Sequence, residues 1–80
     1  MTKLNKNHFA ARFVICVKNE GYHASLQLRK AYQVLSDEKA AKHKLVRVID
    51  ESGEDYLYPN DFFIPVTLSK IAEKALALAA

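Results

Sequence analysis

The sequence predicts a mainly-β fold: a small barrel of about five antiparallel strands, with a short helix near residues 37–43 and a C-terminal helix near 69–79. Three features lead there. Leu45–Ile49 and residues 55–58 are apolar, strand-like runs separated by Glu51, Ser52, Gly53 and Glu54, a turn in which glycine supplies the positive φ that such hairpins need. Residues 13–17 (FVICV) form a continuous apolar, β-branched run of strand length, as expected of a strand covered on both faces. Pro59 and Pro65 bracket a returning apolar segment, and proline within such a run belongs on a sheet edge.

The elements follow in order. Residues 1–11 lack a clear period and are expected as a flexible leader, with 12–80 forming one domain. Residues 13–17 are expected as the central strand. Asn19, Glu20 and Gly21 signal a turn opening a long first loop through Tyr22 and Ser25. Leu26, Leu28, Tyr32 and Val34 alternate with Gln27, Arg29 and Gln33, which predicts one bent strand or two short ones with the even-numbered face inward. Ser36 is the expected N-cap of the first helix: a hydroxyl accepts from exposed N–H groups, Asp37 and Glu38 suit the positive end of the dipole, and Lys42, His43 and Lys44 suit the other.

After the hairpin, Pro59 is expected to stop pairing, since it has no N–H to give. Asn60 and Asp61 can then cap one helical turn, and residues 62–66 return as an edge strand. Behind Ser69, a good N-cap, Leu68, Ile71, Ala72, Ala75, Leu76 and Ala79 repeat at helical spacing.

With 80 residues the chain has room for one core, and a domain this small buries only about 60% of the surface its unfolded form exposes. A lone cysteine, Cys16, cannot form an internal disulfide, which favours a reducing compartment, the cytoplasm. No apolar run is long enough for a signal-peptide core or a membrane span. The net charge of +3 hides two blocks. Residues 29–47 carry Arg29, Lys30, Lys39, Lys42, Lys44 and Arg47 against only Asp37 and Glu38, whereas residues 50–61 carry Asp50, Glu51, Glu54, Asp55 and Asp61 with no Lys or Arg.

No residue pattern points to catalysis, so the chain reads as a non-enzyme without a cofactor. Cys16 sits in an apolar strand, where burial disfavours the thiolate a nucleophile needs. His8, His23 and His43 lack the spacing that fixes a zinc ion. The run DESGEDYLYPND has acids like a twelve-residue calcium loop, but its sixth and twelfth positions are Asp55 and Asp61 where that loop needs glycine and a bidentate Glu. Gly21 and Gly53 are the only glycines, too few for a phosphate-cradling loop.

Two surfaces remain. Tyr56, Tyr58, Phe62 and Phe63 lie among acids and suit an apolar face flanked by negative charge, although so small a domain must give some of them to its core. The basic block offers a polyanion surface instead. In addition, SLQLRKAYQVL resembles the second stretch of the SH3-like barrel family, a Leu-containing diverging turn leading into a strand. YLYPNDFFIPV resembles that family's final block. The resemblance implies that Pro59 is the groove proline, Phe62 the groove aromatic and Tyr22 a third wall. Trp is absent, so the family's pocket-separating tryptophan has no counterpart, and Phe62 lacks the usual tyrosine hydroxyl. FVICVKNEGYHASL and RVIDESGEDYLYP are also similar to blocks of a group of short, uncharacterised bacterial proteins.

The expected function is therefore recognition of a protein or peptide partner through Tyr22, Glu51, Glu54, Asp55, Tyr56, Pro59 and Phe62. The alternative is nucleic-acid or polyanion binding through Arg29, Lys30, Lys42, Lys44 and Arg47. The apolar side of the last helix leaves a homodimer open as well.

Overall fold

The computed structural model describes the backbone of residues 12–79 and the side chains of residues 12–75; the expected leader at 1–11 lies outside the described residues. The strands are β1 (Phe13–Cys16), β2 (Ala31–Leu35), β3 (Leu45–Ile49), β4 (Asp55–Pro59) and β5 (Phe63–Val66). Helix α1 (Glu38–Lys42) precedes β3, a single 3-10 turn (Asn60–Phe62) joins β4 to β5, and α2 (Lys70–Ala79) follows β5. All strand pairs are antiparallel and the sheet order is β4-β3-β2-β1-β5.

The sheet is open: β4 and β5 stand at its two edges, with the 3-10 turn between them in sequence and no ladder joining them. Its bend lies in β2, which pairs with β1 through residues 31–33 and with β3 through Val34 and Leu35. The central strand is thus β2, not residues 13–17; β1 lies one place from the β5 edge. Residue 17 falls outside the strand and is exposed.

Even-numbered residues of β1 and β2 do face the core, where Val14, Cys16, Tyr32, Val46, Val48, Tyr58, Phe62 and Phe63 form one cluster. Leu26 joins them from the first loop, fully buried. Leu28 does not, because no strand exists between Cys16 and Ala31: Leu28 and Arg29 form a turn, Arg29 has a φ of 65°, and Leu28 is exposed. The Arg29 N–H donates to the Cys16 carbonyl at 2.7 Å, so the backbone satisfies itself by turning where alternation predicts extension. Phe13 is buried as well, but it pairs with Val66 and Gln33 on the opposite face from Val14.

The N-cap of α1 is Asp37, one residue beyond the expected Ser36: Asp37 is extended (φ −156°) and its carboxylate accepts from Ala40 N–H at 2.9 Å. A carboxylate there has a second partner, Arg47, that a serine hydroxyl would hold less strongly. Ser69 caps α2 as predicted, its Oγ accepting from Ala72 N–H at 3.1 Å.

The hairpin turns as the sequence requires, with Gly53 at φ 85° and its N–H donating to the Asp50 carbonyl at 2.9 Å. Pairing runs through Pro59, which lies opposite Leu45, rather than stopping before it. Asp50 N–H donates to Glu54 and Asn60 N–H to Lys44, both at 3.0 Å, so the even residues of β4 carry the ladder and the odd ones point their backbone outward. Proline at 59 therefore loses no bond, because its missing N–H would have faced the open edge.

Candidate partner-binding face

The first loop carries Tyr22 to the core's rim. Gly21 takes a φ of 85°, Tyr22 N–H donates to the Asn19 carbonyl at 2.8 Å, and the Asn19 side chain donates to the Leu26 carbonyl at 2.9 Å, so the loop closes on itself. The Tyr22 ring stands edge-on to Tyr58, with centroids 5.0 Å apart at 89°, and to Phe62 at 6.0 Å and 66°. Edge-to-face contact is the favoured aromatic geometry, yet Tyr22 remains 43% exposed while Tyr58 and Phe62 are buried.

Of the residues expected on this face, Tyr22 and Tyr56 are exposed, Pro59 is half-buried and Phe62 belongs to the core, so it forms a floor and not a wall. Tyr56 lies opposite Val48 on the same strand face as Tyr58, where the open sheet leaves it uncovered.

The acids are less free than their exposed turn suggests. Asp50 is buried: its carboxylate accepts from the Tyr58 hydroxyl at 2.5 Å and from the Ser52 N–H and hydroxyl at 2.8 and 2.6 Å. Burial works to raise its pKa, but the bonds from Ser52 and Tyr58 outweigh burial and hold it below the ordinary value. Burial, then donation to Asp50, pushes the Tyr58 phenol up to about 12. Glu51 is held low by the Lys30 ammonium, 2.6 Å away, and then by the Tyr32 hydroxyl at 2.5 Å. Tyr32 is raised first by its own burial and then by that same bond.

Asp55 pairs with Arg47 at 2.8 Å, and Arg47 also meets Asp37 at 2.9 Å. Glu54 accepts from the Tyr56 hydroxyl at 3.1 Å and has no ion pair among the described residues. The two blocks that the sequence keeps apart thus meet in space, Lys30 with Glu51 and Arg47 with Asp55. Arg29 and Lys44 are exposed at positive-φ positions, 65° and 62°, the two held by non-glycine residues among the described residues, and Lys42 is exposed in the last turn of α1. None of these three shares the ion pairs of Lys30 and Arg47.

Sequence reasoning does not name Asp50, Tyr32 or Asp37 among the binding residues, yet they organise this side of the molecule. Only the adjacency of Asp50 and Glu51 at the hairpin's mouth hints at it: alternate pointing sends Asp50 to Tyr58 and Glu51 to Lys30 and Tyr32. Cys16 is buried, its thiol donating to the Lys18 carbonyl at 3.2 Å, and burial raises its pKa. Among the described residues no cluster of His, Cys, Asp or Glu is arranged to hold a metal, and no helix is long and apolar enough to cross a membrane. No family model, curated protein or solved structure matches the chain.

Proposed function

We propose that this protein is a small, non-catalytic recognition module of the SH3-like kind that binds a segment of a partner protein across Tyr22, Pro59 and the Phe62 floor, with Tyr56 and Glu54 alongside. The single observation that carries the reading is Tyr22, a large aromatic held edge-on against two buried rings and still open to solvent on its other side. Fixing such a ring in advance lowers the entropy cost of contact, which is why rigid aromatics anchor interfaces. The resemblance to SH3-like barrels, which implies Tyr22 as a wall beside Pro59 and Phe62, supports the reading, as does the contact of the Tyr22 and Phe62 rings.

Glu54 supplies the uncompensated negative charge, whereas Glu51 and Asp55 reach a partner only by exchanging Lys30 and Arg47 for it. A partner segment with an apolar residue for Tyr22 and a cation for Glu54 fits both features. A soluble role in a reducing compartment accords with the single buried thiol. The test is capture of partners by the tagged protein from its host, read by mass spectrometry for wild type and Tyr22→Ala. Partners lost on substitution, and insensitive to nuclease, support the reading; capture unchanged by Tyr22→Ala contradicts it.

One observation favours polyanion binding as a second reading. Arg29 and Lys44 occupy left-handed backbone positions that cost a residue with a Cβ about 1 kcal/mol or more relative to glycine, and in both the chain keeps a long cation. Affinity for nucleic acid that falls linearly with salt on logarithmic axes, and drops with Arg29→Ala and Lys44→Gly, supports it. No binding at low salt contradicts it.

A further inference from the structure

The first loop, residues 17–30, contains no strand, yet it must hold Tyr22 in place. Its two ends are tied by the Val17 and Lys18 N–H groups, which donate to the Phe62 carbonyl at 2.7 and 3.2 Å, by the Lys18–Asp61 ion pair at 3.5 Å and by the Arg29 N–H, which donates to the Cys16 carbonyl; its middle is held by the hairpin. Gln27 N–H donates to the Tyr32 hydroxyl oxygen at 2.7 Å, and that hydroxyl donates on to Glu51. Glu51 N–H donates to the Ser25 carbonyl at 2.9 Å. Lys30, where the loop enters β2, pairs with the same Glu51 carboxylate at 2.6 Å. Asp50, the next residue back, takes the Tyr58 hydroxyl and so fixes the ring against which Tyr22 stands. The tip of the hairpin therefore grips the loop at Ser25, Gln27 and Lys30, and sets the aromatic surface beneath Tyr22.

We propose that Asp50 and Glu51 are positioning residues for the aromatic face: acting through Tyr58, Tyr32 and the Ser25 carbonyl, they latch the first loop so that Tyr22 is presented against Tyr58 and Phe62. This rests on reading that face as the partner site, and it moves Glu51 from contacting the partner to holding the loop that does. Leu26 alone does not suffice for the latch. Its burial anchors one point and the bonds of Val17 and Lys18 to the Phe62 carbonyl anchor the loop's start, but neither fixes the loop to the hairpin at Ser25 and Gln27. The charged and titratable groups facing the pair are Lys30, Tyr32 and Tyr58, with Tyr22 beyond Tyr58 and Cys16 beyond Tyr32. Of these, Lys30 is the cation that keeps Glu51 ionised, and the two phenols act as donors only while protonated.

The latch is tested on the full chain by nuclear magnetic resonance, following ring contacts between Tyr22 and Tyr58 and amide exchange at Ser25, Leu26 and Gln27. Tyr32→Phe and Glu51→Ala should weaken those contacts and speed loop exchange by about tenfold, the loss of one hydrogen bond of ordinary strength, with the amides of Val46 and Val48 unchanged. Glu51→Gln, which keeps an acceptor oxygen, should restore the slower exchange. Asp50→Asn probes the ring beneath Tyr22; should it fail to fold, Tyr32→Phe and Glu51→Ala decide. Ring contacts and loop exchange identical to wild type in those two variants overturn the proposal. So does a loosened loop that binds selected peptides as tightly as before. These loop measurements need no ligand, so a wild-type protein that binds no peptide counts against the proposed function and not against the latch.

Discussion

Arg47 on β3 reaches diagonally across the hairpin to Asp55 on β4, its Nη1 2.8 Å from the carboxylate, on the sheet face that also carries Leu57. Diagonal neighbours on one face of an antiparallel pair lie within reach of long side chains. The guanidinium's Nε is meanwhile 2.9 Å from Asp37, the cap of α1, so one cation ties the helix to the hairpin. That relationship converts two separated charge blocks into internal structure and leaves Glu54 as the exposed hairpin acid without an ion pair among the described residues.

Replacing Arg47 with Ala should lower the melting temperature, and Asp37→Ala should lower it more than Asp55→Ala, because Asp37 also loses its cap bond to Ala40. A double-mutant cycle on Arg47 and Asp55 should give a small favourable coupling that shrinks as salt rises. Thermal melts at low and high ionic strength check this; a coupling insensitive to salt would show that the pair acts by packing instead.

Stability should depend on pH at both ends. Asp50 and Glu51 are held below their ordinary values in the folded protein, so their contribution is complete above the unfolded values near 4 and is lost as pH falls through the lower folded ones. Tyr58 is raised to about 12, so its contribution is present below the unfolded value near 10 and is lost as pH climbs toward 12. Urea midpoints across pH should form a plateau falling at both extremes, and Tyr58→Phe should flatten the alkaline limb. An unchanged alkaline limb in that variant would assign the fall to other groups.

Leu26 is fully buried although it lies in a loop, whereas Leu28, two residues on, is exposed. Leu26→Ala should cost about 3 kcal/mol in urea unfolding, within the range for large-to-small core changes, and Leu28→Ala almost nothing. Similar costs for both would mean that the loop does not dock through Leu26.

Cys16 should be inert to thiol reagents in the native protein and react fully once denaturant unfolds it, since it is buried and its thiol pKa is raised. Rapid native labelling with the fold intact would place it at an accessible surface and undo its assignment to the core.

Much of the fold is legible in the residues themselves. The hairpin around Gly53, the edge position of Pro65, the cap at Ser69 and the burial of residues 13, 14 and 16 follow from turn chemistry, proline's missing donor and apolar runs. Leu28 misleads because alternation looks the same in a strand and in a turn that happens to place Leu26 inward. Asp37 displaces Ser36 as the cap because its second partner, Arg47, lies ten positions away and no local signal reports it. The candidate face divides the same way. Tyr22 is visible as an aromatic in a loop, but the anchoring of Glu51 by Lys30 and Tyr32 comes from strands brought together by the sheet, a fact no local pattern encodes.

Selection of peptides from a displayed library on the wild-type protein, followed by amide and ring shift mapping with the winners, tests the central claim most directly. The account predicts shifts concentrated at Tyr22, Tyr56 and Phe62, and binding that Tyr22→Ala abolishes while the protein still folds. Shifts centred on Arg29, Lys42 and Lys44, or selected peptides that bind Tyr22→Ala as well as wild type, would contradict it.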